Sequence, residues 1–347
     1  MRETTAGTTP GTQDPAWLDP GPFLRGVAWR DGERVVRADP GDLDRLPWDT
    51  RERAALPIGV RLEFTVPDGA RAVQVRYRAR VPGATEPLRD LAHCFSLWRG
   101  DHWVHDSFAG PTEEATVTIE LPSGEGPFTL HPPESQSPVI LGLRGMGGTL
   151  LPAPGRPRWV VHGDSITEGW WSTRPARSWP AAAGRALGLD TVNLGYAGAA
   201  RGELPVAQQL AALPAEVLTL AFGTNCWSRI PYTAPLLYET VRAFVALVRQ
   251  GHPDTPLLVL SPVLHPEAES TPNACGATLA ELRTAMESAA LDLASAGDGR
   301  LALLPGRGLL TADHLADGLH PNDAGHALMA SAVADALRGA GFVGRGA

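Results

Sequence analysis

After about residue 157 the chain repeats one pattern: a short apolar run followed by a longer stretch. The runs are R-W-V-V-H, T-V-N-L, E-V-L-T-L-A-F, P-L-L-V-L-S and L-A-L-L. Between the third and fourth, Leu237, Val241, Phe244, Val245 and Val248 recur at three and four residues. Between the fourth and fifth, Leu279, Leu282, Met286, Ala289 and Leu293 do the same. That spacing puts the apolar side chains on one face of a helix. Strands alternating with helices pack as a parallel sheet covered on both faces, with the ligand site outside the strands' C-terminal ends. A doubly wound, five-stranded parallel α/β sheet is therefore expected over residues 157–341.

The preceding residues have a different period. In R-L-E-F-T-V, Leu62, Phe64 and Val66 alternate with polar residues. Val73, Val75, Tyr77, Ala79 and Val81 do so in the next run, and Val117, Ile119 and Leu121 in a third. Period two with one apolar face marks half-buried antiparallel strands. An all-β, jelly-roll-like sandwich is expected over residues 21–145. The Gly- and Pro-dense stretch from Gly145 to Pro157 suggests a linker at 146–156, and the Thr/Gly/Pro-rich residues 1–20 read as disordered. A chain of 347 residues exceeds one comfortable core, so two units fit its length.

Composition removes several chemistries. No lysine occurs, which excludes a Schiff-base mechanism, a pyridoxal-binding lysine and a Walker-type phosphate loop. Cys94, Cys226 and Cys275 are widely spaced and odd in number, so neither a disulfide framework nor a zinc site is expected. A net charge of −8 without a basic cluster argues against nucleic acid as a partner. There is no run of 18 apolar residues and no apolar core near the N-terminus. The default is a cytoplasmic enzyme; a mature secreted form would look the same.

Four of the five strand ends carry a polar cluster. Ser165, in W-V-V-H-G-D-S-I-T-E-G, follows the first run. A serine there can cap a helix or act as a nucleophile. The second role needs a base near pKa 7, which is imidazole. His320, in D-G-L-H-P-N-D-A-G-H, follows the fifth run. An imidazole base needs an acceptor to fix its tautomer. Asp317, three residues before it, is preferred over Asp313 and Asp323, because Asp323 suits the first turn of the last helix. Acyl transfer also needs donors facing a developing oxyanion. The backbone of N-L-G-Y-A-G-A and the side chain of Asn225 in A-F-G-T-N are candidates.

Together these blocks resemble the SGNH-hydrolase superfamily, the GDSL esterases and lipases. H-G-D-S-I-T matches the first block and implies Ser165 as nucleophile. N-L-G-Y-A-G matches the second, where Gly198 best fits the oxyanion-hole glycine and Gly195 is the alternative. G-T-N matches the third, implying Asn225 as an oxyanion donor beside the Ser165 N–H. D-G-L-H-P matches the last, implying Asp317 as acid and His320 as base. Cys226 departs from the family, which often has Asp after the Asn; a supporting change or a small pocket residue would explain it. The β-rich region resembles the N-terminal sandwich of some two-domain members, including certain carbohydrate deacetylases. The resemblance implies a serine esterase without a cofactor or metal. It would cleave small-molecule or carbohydrate esters, short acyl groups or O-acetyl groups on sugars among them, through an acyl-enzyme. The alternatives are an acyltransferase using the same triad and an inactive sugar-binding relic. A dinucleotide-binding domain is discarded, since no G-x-G-x-x-G follows the first run.

Trp170, Trp171 and Trp227 are candidates to wall the substrate pocket, against ordinary packing. His93, Cys94, His102, His105 and Asp106 cluster in sequence but match no zinc spacing; histidines on the polar face of a strand-loop-strand explain them. Arg76, Arg78 and Arg80 share a strand face expected to meet solvent or the other domain.

Overall fold

The computed structural model describes residues 16–80, 94–228 and 230–344. The N-terminal part begins with β1 (Leu24–Arg25), a hairpin of β2 (Trp29–Asp31) and β3 (Arg34–Val36), and helix α1 (Trp48–Ala54). There follow β4 (Arg61–Thr65), β5 (Ala72–Ala79), β6 (Cys94–Arg99), β7 (His102–Phe108), β8 (Thr112–Glu120), β9 (Phe128–His131), β10 (Val139–Met146) and β11 (Leu151–Pro152). One antiparallel sheet runs β1-β4-β9-β6-β7, with β11 on β4; a second runs β10-β5-β8. The alternating residues meet in one core: Leu62, Phe64, Phe95, Leu97 and Phe128 with Val73, Val75, Tyr77, Ile119 and Leu143. Val81 and His93 lie outside the described residues. The opposite face of β5 is polar. Arg78 pairs with Glu33, Arg76 approaches Glu114 at 3.8 Å, and Arg80 is exposed.

The C-terminal part alternates as its sequence implies. It comprises β12 (Arg158–Gly163), α2 (Ser165–Glu168), α3 (Trp179–Leu187), β13 (Asp190–Gly195), α4 (Leu204–Ala212) and β14 (Val217–Ala221). It continues through α5 (Ala234–Gly251), β15 (Leu257–Leu260), α6 (Leu279–Ser295), β16 (Leu301–Leu304) and α7 (Asp323–Gly339). The five strands are parallel, in the order β13-β12-β14-β15-β16. Trp159, Val160 and Val161 are buried in succession because both faces of β12 are covered. On one face α5 and α6 contribute Val241, Phe244, Val248, Leu282 and Met286; on the other α7 contributes Met329 and Val333. Thr278 and Glu281 form a reciprocal capping box at the start of α6, the kind of local signal that fixes a helix start. The chain steps from β12 to β13 on one side and then to β14 on the other. The crevice where the order reverses therefore opens above β12.

Three segments differ from the simplest division of the sequence. Residues 40–54 are helical rather than strand-like: a 3-10 stretch over Pro40–Arg45, capped by Asp39, leads into α1. Ala38, Leu46 and Ala54 pack into the C-terminal core, not the sandwich. The expected linker contains β11, which pairs Leu151 with Thr65 and Pro152 with Phe64. Residues 16–20 are anchored, with the Leu18 N–H donating to the Leu143 carbonyl at 2.7 Å; the rest of the expected disordered end lies outside the described residues. Among the described residues no helix is long and apolar enough to cross a membrane.

Gly163, the last residue of β12, shows how tightly the crevice is built. A Cβ there would lie 2.4 Å from the Ala221 carbonyl oxygen on β14 and 2.2 Å from Thr167 Oγ1. Gly163→Ala forces the two central strands apart. Overpacking of this kind costs about 1–3 kcal/mol, so urea denaturation should show a lower midpoint. An unchanged midpoint would show that the strands yield freely.

Candidate active site

Asp164 leaves β12 in extended conformation and caps α2, its Oδ1 accepting from the Ile166 N–H at 3.0 Å. The cap is thus Asp164, and Ser165 is the first residue of the helix. Its own N–H lies outside the helix's hydrogen bonding. Burial lifts the Asp164 carboxyl to about 6, against hydrogen bonds from Ile166 N–H and the Thr224 side chain that favour the charged form.

Ser165 Oγ lies 2.9 Å from His320 Nε2, and His320 Nδ1 lies 2.8 Å from Asp317 Oδ2. These three residues, from chain segments 155 residues apart, form one continuous hydrogen-bonded line. Asp317 Oδ1 also accepts from the N–H groups of His320 at 2.8 Å and Leu319 at 3.0 Å. Burial alone would raise the Asp317 carboxyl; these hydrogen bonds and the imidazole outweigh it and hold the group below its ordinary value. With Asp317 bonded to Nδ1, Nε2 is the nitrogen available to exchange a proton with Ser165.

Asp323 is occupied elsewhere. It opens α7, accepts from Thr173 N–H at 2.8 Å, and pairs with Arg177 at 2.5 Å. Asp313 lies in a short 3-10 turn and its carbonyl oxygen accepts from Asn322. His162, beside the serine turn, belongs to the core. Its ring stacks on Phe244 at 5.5 Å, and burial depresses its pKa to about 4 despite a bond to the Leu194 carbonyl.

The loops after β13 and β14 flank the serine turn. Gly195 N–H is already committed to Asn193 Oδ1 at 2.8 Å. Gly198, at φ +70°, has an N–H without a partner among the described residues. Asn225 is buried in the 3-10 turn Thr224–Cys226, and its Oδ1 accepts from Ala200 N–H at 3.2 Å. That bond fixes the amide and leaves Nδ2 without a partner among the described residues. Cys226 is fully buried, its thiol 3.7 Å from the Arg201 carbonyl, and burial pushes its pKa far up. It is a neutral packing residue and lines no open pocket.

Trp170 stacks on the His320 ring, with centroids 5.1 Å apart and planes 29° apart. Trp171 is partly exposed in a left-handed conformation at φ +64°. Trp227 meets His265 edge-on at 5.3 Å and donates through Nε1 to the Thr271 carbonyl at 2.9 Å. The histidines of β7 do other work. His105 Nε2 lies 2.8 Å from the Glu120 carbonyl oxygen, His102 is exposed, and Asp106 pairs with Arg174 at 2.8 Å. Among the described residues no group of three or more His, Cys, Asp or Glu is placed to hold a metal ion.

Sequence reasoning passed over Glu168, three residues beyond Ser165. Its side chain is buried and pairs with Arg37 at 3.4 Å and with Arg53. Its one sequence signal was a carboxylate set just before Gly169, Trp170 and Trp171.

Residues 161–328 match the GDSL-like lipase/acylhydrolase family. No curated protein matches the chain in sequence. Among solved structures, the chain is similar to the salicylyl-acyltransferase SsfX3 from a tetracycline biosynthetic pathway. The identity is 25%, covering 95% of this chain and 96% of that one, with a TM-score of 0.81. A GDSL-like lipase candidate from Bacteroides ovatus is 21% identical over 96% of this chain and 99% of its own, with a TM-score of 0.78. A family two carbohydrate esterase from Clostridium thermocellum, solved with cellohexaose, is 17% identical over 82% and 93%, with a TM-score of 0.62. The last two likenesses concern the fold. With its C-terminal region, residues 161–328, matching the GDSL-like lipase/acylhydrolase family, the chain is an enzyme of the ester-hydrolase class.

Proposed function

We propose that the protein cleaves carboxylic esters with Ser165 as nucleophile, His320 as base and Asp317 as the acid that orients it. The observation that supports this most is the unbroken line from Ser165 Oγ through His320 to Asp317, at 2.9 and 2.8 Å. His320 takes the serine proton as Oγ attacks the ester carbonyl. The developing oxyanion is held by the N–H groups of Ser165 and Gly198 and by Asn225 Nδ2. His320 then returns the proton to the leaving alcohol. Water, activated by the same imidazole, clears the acyl-enzyme and regenerates Ser165. A series of p-nitrophenyl esters of increasing chain length, run beside O-acetylated sugars, tests the reading and ranks the substrate classes. Absence of turnover on every ester would reject it.

A second reading, acyl transfer to an alcohol or amine, is favoured by the full-length similarity to a salicylyl-acyltransferase. The chemistry is shared; the outcome depends on how well water is kept from the acyl-enzyme. Adding alcohols to the ester assay separates the two. A transferase diverts product to the new ester at acceptor concentrations far below that of water, whereas a hydrolase keeps yielding free acid.

A further inference from the structure

We infer that Glu168, clamped by Arg37 and Arg53, is a positioning residue that sets both His320 and the Gly198 loop, so that residues 37–56 complete the active site. This rests on the reading of Ser165 and His320 as nucleophile and base. Glu168 ends α2, one turn past Ser165. Its side chain is 2% exposed, and those of Arg37 and Arg53 are 1% and 12% exposed. Two guanidinium groups from the far end of the chain thus converge on one buried carboxylate. Ions so placed need good geometry to offset their lost hydration, and apolar residues of similar volume often hold a fold as well. The contacts of this cluster lead to the reacting groups.

Glu168 Oε1 accepts from Trp170 Nε1 at 3.2 Å, and the Trp170 ring lies against His320. Arg53 covers the same indole at 5.8 Å. His326 Nε2 fixes the Trp170 carbonyl at 2.9 Å. The base is therefore held at Nδ1 by Asp317 and across its face by an indole that Glu168 and Arg53 orient. On the other side, Glu168 Oε2 accepts from the Ala197 N–H at 3.0 Å, one residue before Gly198. Arg37 donates to the Gly195 carbonyl in the same loop, and the Tyr196 hydroxyl donates to the Arg37 carbonyl. One carboxylate ties together the base's stacking partner, the oxyanion loop and the N-terminal segment. Glu168, Arg37 and Arg53 touch none of the proposed reacting atoms, so they act through these neighbours.

The test uses the full-length chain, p-nitrophenyl acetate and a fluorophosphonate probe. Arg53→Met should lower kcat and the rate of Ser165 labelling together, by about 10- to 100-fold, the loss expected from a small misplacement of reacting groups. KM should change little, and Arg53→Lys, which keeps the charge but not the fork, should recover part of the loss. Trp170→Phe keeps a ring on His320 and drops only the Glu168 link, so it should show a smaller loss of kcat. It also decides the matter if Arg53→Met does not fold. A folded Arg53→Met or Trp170→Phe protein with wild-type kcat, even with a lowered melting temperature, would leave the cluster as a structural brace and overturn the inference. Failure of the probe to label Ser165 in the unsubstituted protein would overturn the triad reading and this inference with it.

Discussion

Ser165→Ala removes ester turnover and leaves the fold in place. The hydroxyl's hydrogen bond goes to His320 Nε2, and the backbone turn that carries it is held by other groups. Asp164 caps α2, Gly163 lets β12 and β14 close, and Gly169 ends the helix in a left-handed conformation at φ +98°. Losing one hydrogen bond of this kind costs about 1 kcal/mol of stability. The catalytic loss is of another order. Removing the nucleophile of a serine triad costs up to about 10⁶-fold in kcat, leaving what the oxyanion donors and binding supply alone. The measurement is hydrolysis of p-nitrophenyl acetate beside thermal unfolding of the same preparation. Retained turnover in a folded Ser165→Ala protein would mean that another residue attacks the ester.

That test could be designed from the sequence alone, for a physical reason. The proposed nucleophile lies directly after β12, and the proposed acid and base share one short turn just before α7, so local backbone fixes each side chain's place. Asp317 reaches His320 across three residues, and any turn tight enough to fit D-G-L-H brings them together. The α5 face was equally legible, because Leu237, Val241, Phe244 and Val248 state their common burial through period alone. The alternation of β4 and β5 likewise fixed which side chains fill the sandwich core.

What stayed hidden depends on partners far apart in the chain. Arg53 and Glu168 are 115 residues apart, and neither carries a local pattern that names the other. Residues 40–54 are short and rich in Pro, Asp and Arg, so a strand-like neighbourhood masked their helical start at Asp39 and Trp48. The strand β11 is two residues long, below any periodic signal, and exists because β4 offers an edge. Sequence reasoning offered Ser165 as a possible helix cap and passed over Asp164, a residue type that caps equally well. Register decided the cap, placing the aspartate one position earlier at the end of β12.

Asn225→Ala should lower kcat by about 10²- to 10³-fold, the loss measured when a single oxyanion donor is removed, with KM nearly unchanged. A ground-state carbonyl draws little on the Asn225 Nδ2 donor; a developing oxyanion draws on it fully, so the loss belongs in kcat. The alanine variant alone is ambiguous, because it also strips the Ala200 N–H of its acceptor at 3.2 Å and can loosen the loop after β13. Asn225→Asp separates the two effects. It keeps an oxygen for the Ala200 N–H and replaces the Nδ2 donor with a second oxygen, which repels rather than holds a negative charge. If the amide is an oxyanion donor, Asn225→Asp is at least as impaired as Asn225→Ala despite the preserved loop contact. If Asn225 only braces the loop, the aspartate variant recovers activity, and a change confined to KM would move the residue from the oxyanion to the substrate's binding surface.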